Sequence, residues 1–122
     1  APNTETLLSP SLLYINEIQV ANASTVADEL NEFDAWVELF NPNDEQVNLA
    51  GYVLELNGVS HAFQNIEPWL ITIPPNGFQI FWFDNHVEHG INHVTLAPSE
   101  SGTLSLVGND GIIIDSAAWN AD

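Results

Sequence analysis

The chain is organised around the stretch Glu32-Phe33-Asp34-Ala35-Trp36-Val37-Glu38-Leu39-Phe40-Asn41-Pro42-Asn43. It begins acidic, alternates strictly over residues 35–40, and ends at an Asn-Pro-Asn turn signal. Because the side chains of a strand alternate between its two faces, Glu38 is predicted to share a face with Trp36 and Phe40. This places a carboxylate between two aromatic rings, in a chain that has no Lys or Arg to pair with it.

Short apolar or alternating stretches bounded by turn signals recur along the rest of the chain. They lie at residues 12–20, 47–56, 59–64, 69–73, 78–84, 93–96, 102–107 and 112–119. Asn57-Gly58 is a strong hairpin signal, and no segment has a convincing helical pattern. The pattern predicts an all-β sandwich of eight or nine short strands over residues 12–122. Residues 1–11 are interpreted as an N-terminal arm or linker, with Leu7-Leu8 as its apolar pair.

The charge balance is extreme, since the 122 residues include 17 acidic residues and no Lys or Arg, for a formal net charge of −17. This charge excludes partners recognised through a phosphate backbone, such as DNA and RNA. No apolar run reaches the roughly 20 residues of a membrane-spanning helix. The carboxylates must be solvated and screened by salt, or must recruit dissolved cations, among which calcium suits oxygen ligands best.

Five short motifs follow one another along the chain. They are Ile15-Asn16-Glu17-Ile18, residues 35–41, Leu49-x-Gly51-Tyr52-x-Leu54, Ile73-Pro74 with Gly77-Phe78, and Gly102-x-Leu104-x-Leu106 with Gly111 and Ile114-Asp115. Together they resemble the lamin tail domain family in its prokaryotic, extracellular form. The departures are Ala35 where Asp is usual, Phe40 for Tyr, and one extra residue before Gly77. The resemblance covers residues 12–119. It implies an immunoglobulin-like β-sandwich that lies outside the cell or on its surface.

The first candidate site is a polar cluster of Asn16, Glu17, Glu38 and Asn41. The resemblance places these residues in adjacent strands, where they can form one structural network. Since no Lys or Arg is present, the partner of Glu38 must be a backbone amide, a side-chain amide, water or a metal ion.

The second candidate is an acidic segment that precedes the opening strand, and it contains Asp28, Glu29, Glu32 and Asp34. Four carboxylates within seven positions can bind calcium, although their spacing does not match an EF-hand loop. The alternative is a solvated acidic loop. In the same connection, Asn22-Ala23-Ser24 fits the acceptor pattern for N-glycosylation.

A third group is His86, His89 and His93, with Asp84 and Glu88 beside them. These side chains can collect a transition metal if the loop curls, or can simply be polar loop residues. A fourth group is aromatic and consists of Trp36, Tyr52, Trp69, Phe81, Trp82, Phe83 and Trp119. Most of these rings should be core, and any exposed ones can stack on sugars or fill a protein interface. The candidate interface residues are Leu7, Leu8, Phe81 and Phe83.

No motif sets a nucleophile beside a base, so we expect no enzymatic activity. The sequence predicts a non-catalytic extracellular structural module that acts through protein–protein contacts. Self-assembly into filaments or a surface layer is expected, by docking of the arm or an added strand on an open sheet edge, with divalent cations bridging acidic faces. The alternative is a carbohydrate- or protein-binding accessory module of a larger secreted protein. A row of exposed aromatic side chains would favour that alternative.

Overall fold

The computed structural model describes residues 12–19, 35–83, 90, 92–94, 96 and 101–119. Within these residues the chain forms ten strands: β1 (Tyr14–Gln19), β2 (Ala35–Phe40), β3 (Val47–Asn48), β4 (Val53–Leu56), β5 (Val59–Ala62), β6 (Thr72–Ile73), β7 (Phe78–Phe83), β8 (His93–Val94), β9 (Gly102–Val107) and β10 (Ile113–Trp119). A 3-10 helix, Pro68–Leu70, lies between β5 and β6. None of the helical structure in this part of the chain is long and apolar enough to cross a membrane.

The strands form two four-stranded sheets. The first sheet has the order β1-β2-β7-β8, the second has the order β10-β9-β4-β5, and β3 pairs with β6 separately. The inner faces of both sheets meet in one hydrophobic core, in which Leu39 of the first sheet and Leu54 of the second are fully buried. Phe63 and Phe81 bring their ring centroids to 5.1 Å across this core. The predicted all-β sandwich is therefore confirmed.

The strand count exceeds the prediction because the stretch at residues 47–56 is two strands rather than one. A turn at residues 50–51 separates β3 from β4. Gly51 adopts a φ of 87° there, a conformation that residues with a side chain rarely take. The predicted strand at 69–73 is also shorter, since its first part belongs to the 3-10 helix.

The expectation of an interface at Phe81 and Phe83 is wrong. Both side chains point into the core and are only 0% and 5% exposed, respectively. Strand β7 is aromatic on both faces, so the alternation alone could not tell which face lies between the sheets. It is the opposite face, with Phe78 and Trp82, that points outward.

A β-bulge distorts the pairing of β1 with β2. Ile15 lies opposite Leu39 and Glu17 lies opposite Glu38, so Asn16 is one extra residue in β1. The bulge leaves Ile15 and Ile18 packed against the core although they are three positions apart. Consequently, Tyr14 and Glu17 both lie on the outer face of the first sheet.

Candidate functional site

Three rows of side chains cross the outer face of the first sheet, because directly paired residues of an antiparallel ladder share a face. The aromatic row is Tyr14, Phe40 and Phe78, the carboxylate row is Asn16, Glu17, Glu38 and Ile80, and the tryptophan row is Gln19, Trp36 and Trp82. Side chains on one face recur every second residue, so neighbouring rows are about 7 Å apart along the strands.

The aromatic row is open to solvent. Tyr14 is 44% exposed and Phe78 is 50% exposed, with Phe40 half-buried between them. The ring centroids of Tyr14 and Phe40 are 6.5 Å apart at an interplanar angle of 12°, and those of Phe40 and Phe78 are 4.8 Å apart at 35°. Leu12, which is 50% exposed, precedes Tyr14 by two positions and extends the apolar surface. Contiguous exposed apolar side chains of this kind mark contact surfaces.

The carboxylate row brings together three of the four residues of the predicted polar cluster. Asn16 donates a hydrogen bond of 2.8 Å from Nδ2 to Oε1 of Glu38. Because of the bulge, Glu17 also lies directly opposite Glu38. Two like charges that face each other across a ladder destabilise it, and the sequence contains no Lys or Arg to compensate them. The row is thus a local concentration of negative charge beside exposed rings.

Asn41 does not belong to this row, which corrects the fourth member of the predicted cluster. It is three positions from Glu38, so strand alternation sends its side chain to the opposite side, where it is fully buried. Its Nδ2 lies 2.9 Å from the carbonyl oxygen of Glu45 and 3.0 Å from those of Ile73 and Pro74. Its Oδ1 accepts hydrogen bonds from the backbone and side chain of Asn43. Asn41 therefore joins two turns and has a structural role.

The two rings of the tryptophan row are shielded from solvent. Trp36 and Trp82 are 4% and 5% exposed, and the ring of the fully buried His93 lies 6.3 Å from that of Trp82. His93 belongs to β8, which pairs in parallel with the end of β7. It therefore packs in the interior rather than in an exposed loop. At this end of the face, neither Trp ring offers a surface to a ligand, and Gln19 is partly exposed.

A groove separates β1 from β10, the strands at one edge of each sheet. Its volume is about 250 Å³, and it is lined by residues 15–18 of β1 and 117–119 of β10. Among the described strands, β1 pairs only with β2 and β10 pairs only with β9. Within the part of the chain that the structure describes, both are thus edge strands, and residues of both line this groove. One end of the groove is tied by Asp115, whose Oδ2 accepts a hydrogen bond of 2.8 Å from the Ile15 amide.

Several predicted sites lie outside the described residues. These are the acidic segment with Asp28, Glu29, Glu32 and Asp34, the glycosylation candidate Asn22, the arm residues Leu7 and Leu8, and Asp84, His86, Glu88 and His89. The residues that are described contain no group of three or more His, Asp or Glu side chains placed to hold a metal ion. Of the aromatic group that the sequence singles out, Tyr52 is core, whereas Trp69 is 69% exposed on the 3-10 helix.

Sequence reasoning did not single out the aromatic row. The available signal for it was the alternation of β2, which puts Phe40 on the same face as Glu38. Tyr14 and Phe78 become neighbours of Phe40 only through the register of two ladders, which cannot be read from the residues. Comparison of the chain with family models gave no match, and comparison with curated proteins also gave none.

Proposed function

We propose that this protein is a non-catalytic extracellular structural module that acts through protein–protein contacts and assembles with further copies of itself. The observation that carries this proposal is the groove between β1 and β10, each of which ends the strand order of its sheet among the described residues. Edge strands present unpaired N–H and C=O groups, which are a template for an added strand. The extracellular location rests on the resemblance to prokaryotic lamin tail domains, which remains a hypothesis.

The groove suits strand addition for two reasons. The residues that line it include the apolar Ile15, Ile18 and Ala117, which suit the apolar side chains of an incoming strand. The groove lies beside two edge strands, and an added strand forms main-chain hydrogen bonds with the strand that it joins. When one copy donates a strand and the next accepts it, the contact is head-to-tail, and such contacts form filaments unless the rotation closes a ring.

The charge of the chain makes this assembly dependent on ions. Copies that each carry a formal charge of −17 repel one another. Salt screens this repulsion, and divalent cations can in addition bridge carboxylates of neighbouring copies. We therefore propose filaments or a surface layer that form with the help of divalent cations, calcium being the cation best suited to oxygen ligands.

The test is the size of the particles in solution with calcium and with a chelator. Light scattering should show polymers in calcium that dissociate when the chelator is added. The Ala117→Phe variant fills the groove from its β10 wall and should stay monomeric in calcium. Thr103→Phe adds the same ring to an exposed position of neighbouring β9 and should assemble normally. A folded chain that is monomeric under all conditions overturns the self-assembly proposal.

A second candidate function is an accessory module of a larger secreted protein that binds carbohydrate or protein. The observation that favours it is the exposed aromatic row, since rings aligned across three strands can stack on sugars or on the side chains of a partner. A glycan array probed with the chain and with Phe78→Ala tests the carbohydrate form. Binding that is lost in the variant supports it, and silence of the array counts against it.

A further inference from the structure

We propose that the aromatic row and the carboxylate row together form a docking site for an Arg or Lys side chain of a different protein. This inference rests on the proposed role in protein–protein contacts and adds the chemistry of the partner. It concerns the outer face of the first sheet, which shares Asn16 and Glu17 with the groove at its edge.

The two rows are spaced for such a side chain. Phe40 follows Glu38 by two positions on the same face, so their Cα atoms are about 7 Å apart. The exposed rings of Tyr14 and Phe78 flank Phe40. A cation gains from an aromatic ring when it lies within about 6 Å of the centroid. The aliphatic stem of Arg or Lys can therefore lie on the rings while its charged group reaches Glu17 and Glu38.

The electrostatics of the carboxylate row favour a cation over a neutral ligand. Glu17 and Glu38 lie opposite each other, and Asn16 gives Glu38 a hydrogen bond without reducing its charge. A sugar would use the rings but would leave the two charges uncompensated. A guanidinium group can stack on an aromatic face and also bind a carboxylate through two parallel hydrogen bonds, so Arg fits better than Lys.

The composition of the chain decides that the partner is a different protein. The sequence contains no Lys or Arg, so a second copy cannot supply either side chain. A nucleic acid is excluded because its backbone has the same sign of charge as this chain. Charge complementarity therefore points to a basic segment of another protein that carries an exposed Arg.

The test uses a short Gly-Arg repeat peptide, with a Gly-citrulline peptide as its uncharged isostere. Titration calorimetry is done in chelator, so that the groove-mediated assembly does not contribute. The Arg peptide should bind about 10-fold more tightly than the citrulline peptide, because a charge-assisted hydrogen bond and a cation–π contact are lost together. Glu38→Gln and Phe78→Ala should each weaken binding of the Arg peptide about 5-fold.

Matched controls separate this site from the general negative charge. Glu55→Gln removes the same charge from β4 of the second sheet, and Trp69→Ala removes an exposed ring from the 3-10 helix. Both should change the affinity less than 2-fold if binding is local. Equal losses in Glu38→Gln and Glu55→Gln, or equal binding of the two peptides, would overturn the proposal. Binding of a neutral oligosaccharide that depends on Phe78 would assign the row to sugars instead.

The outcomes for this site and for self-assembly are distinguishable. Glu38 and Phe78 do not line the groove, so both variants should still form polymers in calcium. If the chain binds the peptide but never assembles, the docking site is supported and the filament proposal is refuted. If the chain assembles but does not bind the peptide at this site, the filament proposal is supported and the docking site is refuted.

Discussion

The two ends of the outer face of the first sheet differ sharply, although the same strands β2 and β7 build both. At one end, Trp36 and Trp82 are almost completely buried and His93 packs beside them. At the other end, Tyr14 and Phe78 are about half exposed. Strand β8 pairs only with the Trp82 end of β7. Large rings on one sheet face can therefore be buried at one end and open to solvent at the other.

The largest effect is expected when one ring is removed from each end. Trp82→Ala should lower the free energy of unfolding by about 3–5 kcal/mol, because it leaves a cavity among buried neighbours. Phe78→Ala should lower it by less than about 1 kcal/mol, because the ring is already in contact with water. Urea unfolding followed by circular dichroism measures both. Similar losses in the two variants would mean that the two ends are not distinct.

The two asparagines of the predicted cluster extend the comparison to polar groups. Asn41→Ala should cost about 2–4 kcal/mol, since it leaves buried carbonyl and amide groups of two turns without their partner. Asn16→Ala removes one exposed hydrogen bond and should cost at most about 0.5 kcal/mol. The same unfolding assay applies. A loss at Asn16 as large as that at Asn41 would contradict the structural role assigned to Asn41.

One buried ionisable group on the second sheet, His61, should make the stability of the chain depend on pH. His61 of β5 is buried against Phe63, and this loss of solvent lowers the pKa of the imidazole below its ordinary value of 6.5. Well above pH 6.5 the imidazole is neutral in the folded and unfolded chains. As the pH falls below that value, the unfolded chain takes up the proton first, so stability decreases until the lowered pKa of the folded state is reached.

The measurement is the free energy of unfolding between pH 7 and pH 5 for the natural chain and for His61→Leu. The natural chain should lose stability relative to the variant, with a slope of at most about 1.4 kcal/mol per pH unit. Carboxylates are common to both chains, so their titration cancels in the difference. Parallel pH profiles would show that His61 is as well solvated in the folded chain as in the unfolded one.

The smallest expected effect concerns the charges of the exposed rows. Glu17→Gln removes the repulsion between Glu17 and Glu38 and should raise the free energy of unfolding by about 0.2–0.5 kcal/mol at low salt. Glu55→Gln, whose partners across both ladders are serines, should raise it less. The difference between the variants should vanish near 1 M salt, where the Debye length is about 3 Å. A difference that persists in high salt would not be electrostatic.

Much of the fold was accessible from the residues, because the alternation over residues 35–40 is strict and turn signals are frequent. The same alternation correctly placed Glu38 on one face of the strand with Trp36 and Phe40. Extended by one residue beyond Phe40, it also puts Asn41 on the opposite face from Glu38. The candidate site was less accessible. The bulge at Asn16 cannot be recognised in the sequence. The two consecutive polar residues, Asn16 and Glu17, equally fit a regular strand in which one points to each face.

The burial of Phe81 and Phe83 shows a second limit. With rings on both sides of β7, periodicity indicates a strand but not which side the second sheet covers. That choice depends on the pairing of β7 with β2 and on the packing of Phe81 against Phe63, both of which join residues far apart in the chain. Long-range contacts of this kind carry no local signature.

The bulge also has a consequence for how the length of this chain can vary. Asn16 is the one residue of β1 without a partner of its own in the β2 ladder. Deleting it would leave Tyr14 and Ile15 on their present partners, and Glu17 and Ile18 on theirs. Deleting Glu17 instead would also remove the bulge and would place Asn16 opposite Glu38 in the same register. Deleting Ile15 would place the polar Asn16 opposite the buried Leu39. Chains of this fold that are one residue shorter in β1 should therefore lack the residue at position 16 or 17.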